Sequence, residues 1–111
     1  MVTTPLQILM IEDDDAYAGL VERMLRRSGS ELVVAPRVEV ALRHLQGRQF
    51  DVILSDLNLP DSRGLETFQR VSAAAPKLPI VVLTGEEDDA LGLRTVQAGA
   101  QDYLIKDQRC V

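Results

Sequence analysis

Hydrophobic residues along this chain alternate between short dense runs and regularly spaced stripes. The runs Leu6–Ile11, Leu32–Ala35, Val52–Leu54, Ile80–Leu83 and Tyr103–Ile105 are rich in Ile, Leu and Val, as strands buried on both faces should be. Between them, Ala16–Arg27, Val38–Gln46, Leu65–Ala75 and Ala90–Ala98 place apolar residues three and four apart, the stripe of an amphipathic helix. Strict alternation of strand and helix predicts an α/β protein with a doubly wound, mostly parallel sheet. Boundary signals agree: Asp15 is placed to cap the first helix and Ser28-Gly29 to close it, Gly47 follows the second, Asp88 or Asp89 can cap the fourth, and Gly99 ends it.

After the fifth strand only residues 107–111 remain, too few for a helix that could cover the sheet. Right-handed crossovers distribute helices over both faces of such a sheet, so one face is expected to carry the first helix alone. An apolar face that bare predicts that the chain is the N-terminal part of a longer protein, or that a partner or second copy covers it.

Composition narrows the function classes. With 111 residues and no repeat, low-complexity tract or linker, one domain over residues 1–111 is expected. A formal net charge of −5 argues against a nucleic-acid or anionic-membrane surface, which needs clustered Lys and Arg. No apolar stretch approaches the roughly 20 residues that span a bilayer. Cys110, the single cysteine, cannot form an internal disulfide, and the N-terminus lacks a secretory pattern, so a cytoplasmic location is expected.

The chemistry sits just after the apolar runs. Glu12-Asp13-Asp14, Asp56, Thr84 and Lys106 each follow one, and a parallel sheet brings all such strand ends to one crevice. Adjacent Glu12 and Asp13 would raise one another's pKa unless a cation is near, and an open site with a few carboxylates suits Mg²⁺. Asp14 and Asp15 better suit the start of the following helix. Asp56, ahead of the Pro- and Gly-containing segment Leu57–Gly64, is a candidate nucleophile, although an Asp at such a turn is by itself more often a turn-former. Thr84 can donate a hydroxyl to a phosphoryl oxygen and Lys106 can offer it a point charge. None of these residues is specific alone; their order and common placement are.

Four segments, Ile8–Asp14, Asp51–Pro60, Val81–Gly85 and Gly99–Lys106, resemble those of response-regulator receiver domains, and the resemblance covers nearly the whole chain. It implies a flavodoxin-like sheet of five parallel strands in the order 2-1-3-4-5 flanked by five helices, of which the fifth is missing here. It makes Asp56 the phosphoacceptor, places Glu12 and Asp13 in an acidic metal pocket for Mg²⁺, and gives Asn58 a main-chain carbonyl toward that metal. Thr84 and Lys106 would contact the phosphoryl oxygens, and Tyr103 matches an aromatic switch residue whose rotamer follows the Thr84 hydroxyl. Asn58 and Glu86 would border the path of hydrolytic water. The implied donor is a sensor histidine kinase or a histidine phosphotransfer protein, and the implied receiver of the signal is an output domain or downstream partner, with a homodimer open. Such a domain catalyses only its own modification and is not otherwise an enzyme.

Two features depart from that family. Asp107 stands where Pro commonly follows the active-site lysine, so a trans peptide is expected there, since a cis bond before a non-proline costs about 3–4 kcal/mol. The missing helix normally shares an output and dimer face with the fourth helix and fifth strand. Two rival functions remain. A haloacid-dehalogenase-type hydrolase wants a second Asp where Asn58 stands, and a pseudo-receiver would bind partners without phosphorylation. His44, with no acidic neighbour in its helical pattern, is expected to be an ordinary surface or half-buried histidine. Cys110 is expected to be a free thiol of no defined role. Gly85 eases a turn, and no nucleotide-binding glycine motif occurs.

Overall fold

The structure, a computed structural model, describes residues 5–106. The Lys106–Asp107 peptide, Cys110 and the side chain of Glu86 lie outside the described residues. In chain order the elements are β1 (Gln7–Ile11), α1 (Asp15–Arg26), β2 (Glu31–Ala35), α2 (Val38–Gly47), β3 (Val52–Asp56), the two-residue strands β4 (Asn58–Leu59) and β5 (Ser62–Arg63), α3 (Leu65–Ala74), β6 (Ile80–Thr84), α4 (Asp89–Gln97) and β7 (Asp102–Ile105). All neighbours in the main sheet pair in parallel, in the order β2-β1-β3-β6-β7. That is the expected 2-1-3-4-5 order once the short antiparallel β4–β5 ribbon is set aside.

The order reverses at β1, whose neighbours are β2 on one side and β3 on the other, and the reversal opens a crevice at the carboxyl ends of the strands. It also sends the helices to opposite faces. Leu9, Ile11, Ile53 and Val82 pack with residues of α2, α3 and α4 in the larger core, centred on Val38, Ala41, Phe68 and Val71. Met10 and Leu83 face the other way, against Ala18, Tyr17 and Val21 of α1. The face expected to be thinly covered is the α1 face, where Leu104 of β7 stays 53% exposed. No described helix is long and apolar enough to cross a membrane.

Local geometry departs from the sequence signals at three helix ends. Asp14, not Asp15, caps α1: its backbone is extended and its Oδ1 accepts the Ala16 and Tyr17 amides at 3.0 and 3.2 Å, while Asp15 is already helical. A cap needs extended backbone to turn its oxygen onto the free amides, and the first helical residue cannot supply it. Gly47 is the last residue of α2 rather than its successor. Asp88 holds the cap position of α4, but its backbone is not extended and its side chain caps nothing; a single 3₁₀ turn, Glu86–Asp88, leads into the helix instead.

Candidate functional site

Glu12 and Lys106 each lie one residue beyond a strand, yet both main chains continue the sheet ladder: Glu12 N donates to Ala35 O at 2.9 Å and Lys106 N to Thr84 O at 2.7 Å. Asp56 and Thr84 are the last residues of β3 and β6. Their backbones are therefore held by the sheet rather than by free loops, and four elements deliver their side chains to one place.

Three carboxylates converge there. Oxygens of Glu12, Asp13 and Asp56 lie within 4.8 Å of one another. The Lys106 ammonium spans two of them, 2.8 Å from Glu12 Oε1 and 3.2 Å from Asp56 Oδ2, and lies 4.6 Å from the centroid of the Tyr17 ring. Glu12 is 1% exposed. Burial pushes its carboxyl up to about 7 against the opposing hydrogen bond from Lys106, with the Asp56 charge adding to the rise. For Lys106 burial works against the charge, but the hydrogen bond to Glu12 and the attraction of both carboxylates outweigh it and leave its pKa raised. The lysine is thus a permanent cation at neutral pH.

The pocket still has unmet capacity. Glu12 Oε2 and Thr84 Oγ1 are buried and find no hydrogen-bond partner among the described residues, an arrangement that ordinarily costs free energy. One ammonium facing three carboxylates leaves an excess of negative charge that a hard divalent cation would balance, and the all-oxygen donor set suits such an ion. The acidic pocket therefore fits a metal on its own chemistry.

Asp56 is braced from both sides. Asn58 N donates to its Oδ1 at 3.1 Å, and Ser55 Oγ donates to its carbonyl at 2.8 Å. The Asn58 side chain turns away to Asp88 Oδ2 at 3.3 Å. The segment between Asp56 and α3 closes on itself: Leu57 O accepts both Gly64 N and Thr67 Oγ1 at 2.8 Å. Gly64 makes this possible with a φ of 67°, which a side chain would resist. Tyr103 is half-buried, with its ring against Gly92 and its hydroxyl on Asp89 Oδ1 at the surface.

Glu12, Asp13, Asp56 and Lys106 form one cluster, Thr84 lies at the adjacent strand end with a free hydroxyl, and Asn58 joins through its backbone. Tyr103 stands two strand residues beside this group, since it pairs with Val82 while Ile105 pairs with Thr84. Sequence reasoning missed Tyr17, whose ring backs Lys106, and Asp88, Asp89 and Gly92, which hold Asn58 and Tyr103. Tyr17 stands in the first turn of α1, a position that a helical stripe alone presents as core.

Residues 8–110 match the response regulator receiver domain family. The chain is 33% identical over 101 residues to the cell cycle transcriptional regulator CtrA of Caulobacter vibrioides, covering 91% of this chain and 44% of that protein. It is 31% identical over 106 residues to the two-component response regulator ORR26 of Oryza sativa subsp. japonica, covering 94% of this chain and 18% of that protein. Among solved structures, a putative response regulator from Chloroflexus aurantiacus superposes with a TM-score of 0.83 at 33% identity, covering 93% of this chain and 86% of that one. A response regulator from Burkholderia pseudomallei, whose structure has a phosphorylated aspartic acid, a calcium ion and citrate, gives 0.79 at 32% identity over 91% of this chain and 59% of that one.

The fold and the acidic pocket define a response-regulator receiver. The chain belongs to the receiver domain family of two-component signalling. It spans less than half the length of these curated relatives, 18% of one and 44% of the other. Its relatives are regulators, and the family's chemistry is confined to its own phosphorylation.

Proposed function

We propose that this receiver takes a phosphoryl group onto Asp56 from a phosphohistidine of a sensor histidine kinase or a histidine phosphotransfer protein. The observation that carries the reading is the convergence of Glu12, Asp13 and Asp56 with Lys106 bridging two of them. An oxygen of the Asp56 carboxylate forms a bond to phosphorus as the donor's nitrogen–phosphorus bond breaks, and the imidazole leaves with the electron pair and takes up a proton. Both reactants are anionic, so positioning and charge neutralisation do the work rather than a general base. Lys106 supplies one positive charge, and its raised pKa keeps that charge through neutral pH.

Glu12, Asp13, Asp56 and the main-chain carbonyl of Asn58 would hold Mg²⁺. When bound, the ion supplies the remaining positive charge for the phosphoryl oxygens. The unpartnered Thr84 hydroxyl is available to a phosphoryl oxygen, and its movement would be felt at Tyr103. Asn58 and Glu86 would set how readily water reaches the acyl phosphate. The change at Thr84 and Tyr103 biases the packing of β6, α4 and β7 between two states, which an output domain, a downstream protein or a second copy reads. The domain, residues 1–111, acts in the cytoplasm beside further modules; its small share of the relatives' length and the exposed Leu104 support the presence of those modules.

Intact mass after incubation with Mg²⁺ and acetyl phosphate tests this. One added phosphoryl group, lost in Asp56→Ala and in chelator, is expected. A folded protein that neither binds Mg²⁺ nor gains mass would be a pseudo-receiver.

A further inference from the structure

Helix α2 begins without a cap of its own. Arg37 occupies the cap position in extended backbone and its side chain makes no cap hydrogen bond; it lies 3.8 Å from Glu39 Oε2 instead. The amides of the first helical residues need acceptors all the same. They find them far along the chain: Val38 N donates to Asp61 Oδ1 and Glu39 N to Asp61 Oδ2, both at 2.9 Å. One carboxylate therefore caps the helix with both oxygens from more than twenty residues away.

Asp61 stands at the turn of the β4–β5 ribbon, in which Asn58 pairs with Arg63 and Leu59 with Ser62. Its own carbonyl accepts Arg70 Nη1 of α3 at 2.9 Å. At the foot of the ribbon Thr67, fully buried, donates to Leu57 O at 2.8 Å and its oxygen lies 2.9 Å from Ser62 Oγ. Because the Thr67 hydroxyl has a single proton and gives it to Leu57 O, the Ser62 hydroxyl donates to Thr67. The segment from Asp56 to α3 is thus pinned to α3 at its foot, and at its tip both to α3 through Arg70 and to α2 through the Asp61 carboxylate. Burial works against the Asp61 charge, but the Glu39 and Val38 amides outweigh it and hold the carboxyl below its usual range.

We infer that Asp61 is a positioning residue for the acceptor site: by clamping the ribbon tip to the N-terminus of α2, it fixes the backbone of Asn58 relative to Asp56. Helix α2 packs in the large core through Val38 and Ala41 and so offers a rigid anchor. Asn58 opens the clamped ribbon, and its amide is the group that braces Asp56 Oδ1. A cap supplied from within α2 would stabilise the helix equally and leave the ribbon tip without its tie to α2, held only through the Asp61 carbonyl by Arg70, so the trans arrangement does something a local cap does not. The inference rests on the phosphoryl-acceptor reading above.

The test separates capping from clamping. Asp61→Ala removes both; Asp61→Ala with Arg37→Ser restores a local cap without the link to the ribbon; Asp61→Asn keeps one acceptor oxygen. Each is compared with the parent for thermal stability, Mg²⁺ affinity by titration, phosphorylation by acetyl phosphate, and amide exchange over residues 57–64. The double variant is expected to recover the stability lost in Asp61→Ala while its Mg²⁺ affinity stays about tenfold weaker, the lower end for loss of a residue supporting metal ligands. Its phosphorylation slows and exchange over 57–64 stays fast, and Asp61→Asn falls between it and the parent. Recovery of affinity and exchange together with stability would reduce Asp61 to a helix cap and overturn the inference. If the parent neither binds Mg²⁺ nor takes a phosphoryl group, the acceptor reading fails, and exchange over 57–64 in the double variant still decides whether the clamp exists.

Discussion

The Tyr103 ring lies so close to the Cα of Gly92 that a β-carbon there would fall 2.7 Å from Tyr103 Cγ and 2.8 Å from Cε2. Glycine inside a helix costs about 1 kcal/mol relative to alanine, and Gly92 sits mid-way along α4. Its lack of a side chain makes the seat on which the ring rests, while Asp89, one turn earlier, accepts the phenol.

Gly92→Ala is accordingly expected to evict the ring and break the Tyr103–Asp89 hydrogen bond. That bond is the main reason the phenol titrates above its ordinary value, so the variant's Tyr103 should ionise at lower pH than the parent's. Ultraviolet phenolate titration, with Tyr103→Phe identifying the signal, measures this; an unchanged titration would mean the ring tolerates a methyl group beneath it.

Glu12 predicts a pH dependence with a defined sign. Its carboxyl has a pKa of about 7 in the folded protein against 4.5 as its ordinary value, so the folded state holds the proton more tightly. Without metal, this contribution to stability is fully present below pH 4.5 and is lost as pH rises toward 7. Urea titrations from pH 5 to 8 should show that decline, and Glu12→Gln should flatten it. Mg²⁺ affinity should rise over the same interval, because the carboxyl must release its proton to bind a cation.

Lys106→Met leaves Glu12 and Asp56 facing each other without their ammonium. Removing one partner of a fully buried pair costs about 3–5 kcal/mol. Lys106 and Asp56 keep 15% and 13% of their side-chain exposure, so roughly 1–3 kcal/mol is expected here. Mg²⁺ should restore more stability to the variant than it adds to the parent, since it replaces the missing charge. Equal gains in the two proteins would mean that the lysine is not the counter-charge.

Thr84→Val removes a buried hydroxyl that has no partner among the described residues and keeps the shape of the side chain. Relief of the unmet hydrogen bond is expected to stabilise the unphosphorylated domain by about 1 kcal/mol, a rise of a few degrees in Tm. The same change should uncouple Tyr103 from phosphorylation, read as loss of the shift in its fluorescence on adding acetyl phosphate. A fall in Tm would indicate that the hydroxyl does find a partner in solution.

The apolar runs and the helical stripes determined the order of elements, the parallel sheet and the convergence of Glu12, Asp56, Thr84 and Lys106, because period and strand-end placement are local properties that survive without knowledge of packing. The acidic pair after β1 also carried its own electrostatic signal. Asp14 shows the limit of such reading: two adjacent aspartates offer the same cap chemistry, and only the backbone angle chooses between them. Tyr17, Asp61 and Gly92 carried no signal, and Asp88 and Asp89 only that of a helix cap, since each acts on a residue distant in sequence or across a helix turn. Tertiary structure decided that Lys106 would bridge two carboxylates at once, that α2 would take its cap from the ribbon after Asp56, and that Tyr103 would rest on a glycine. These are consequences of which side chains meet when the layers close, and their energies exist only in the packed, partly dehydrated state.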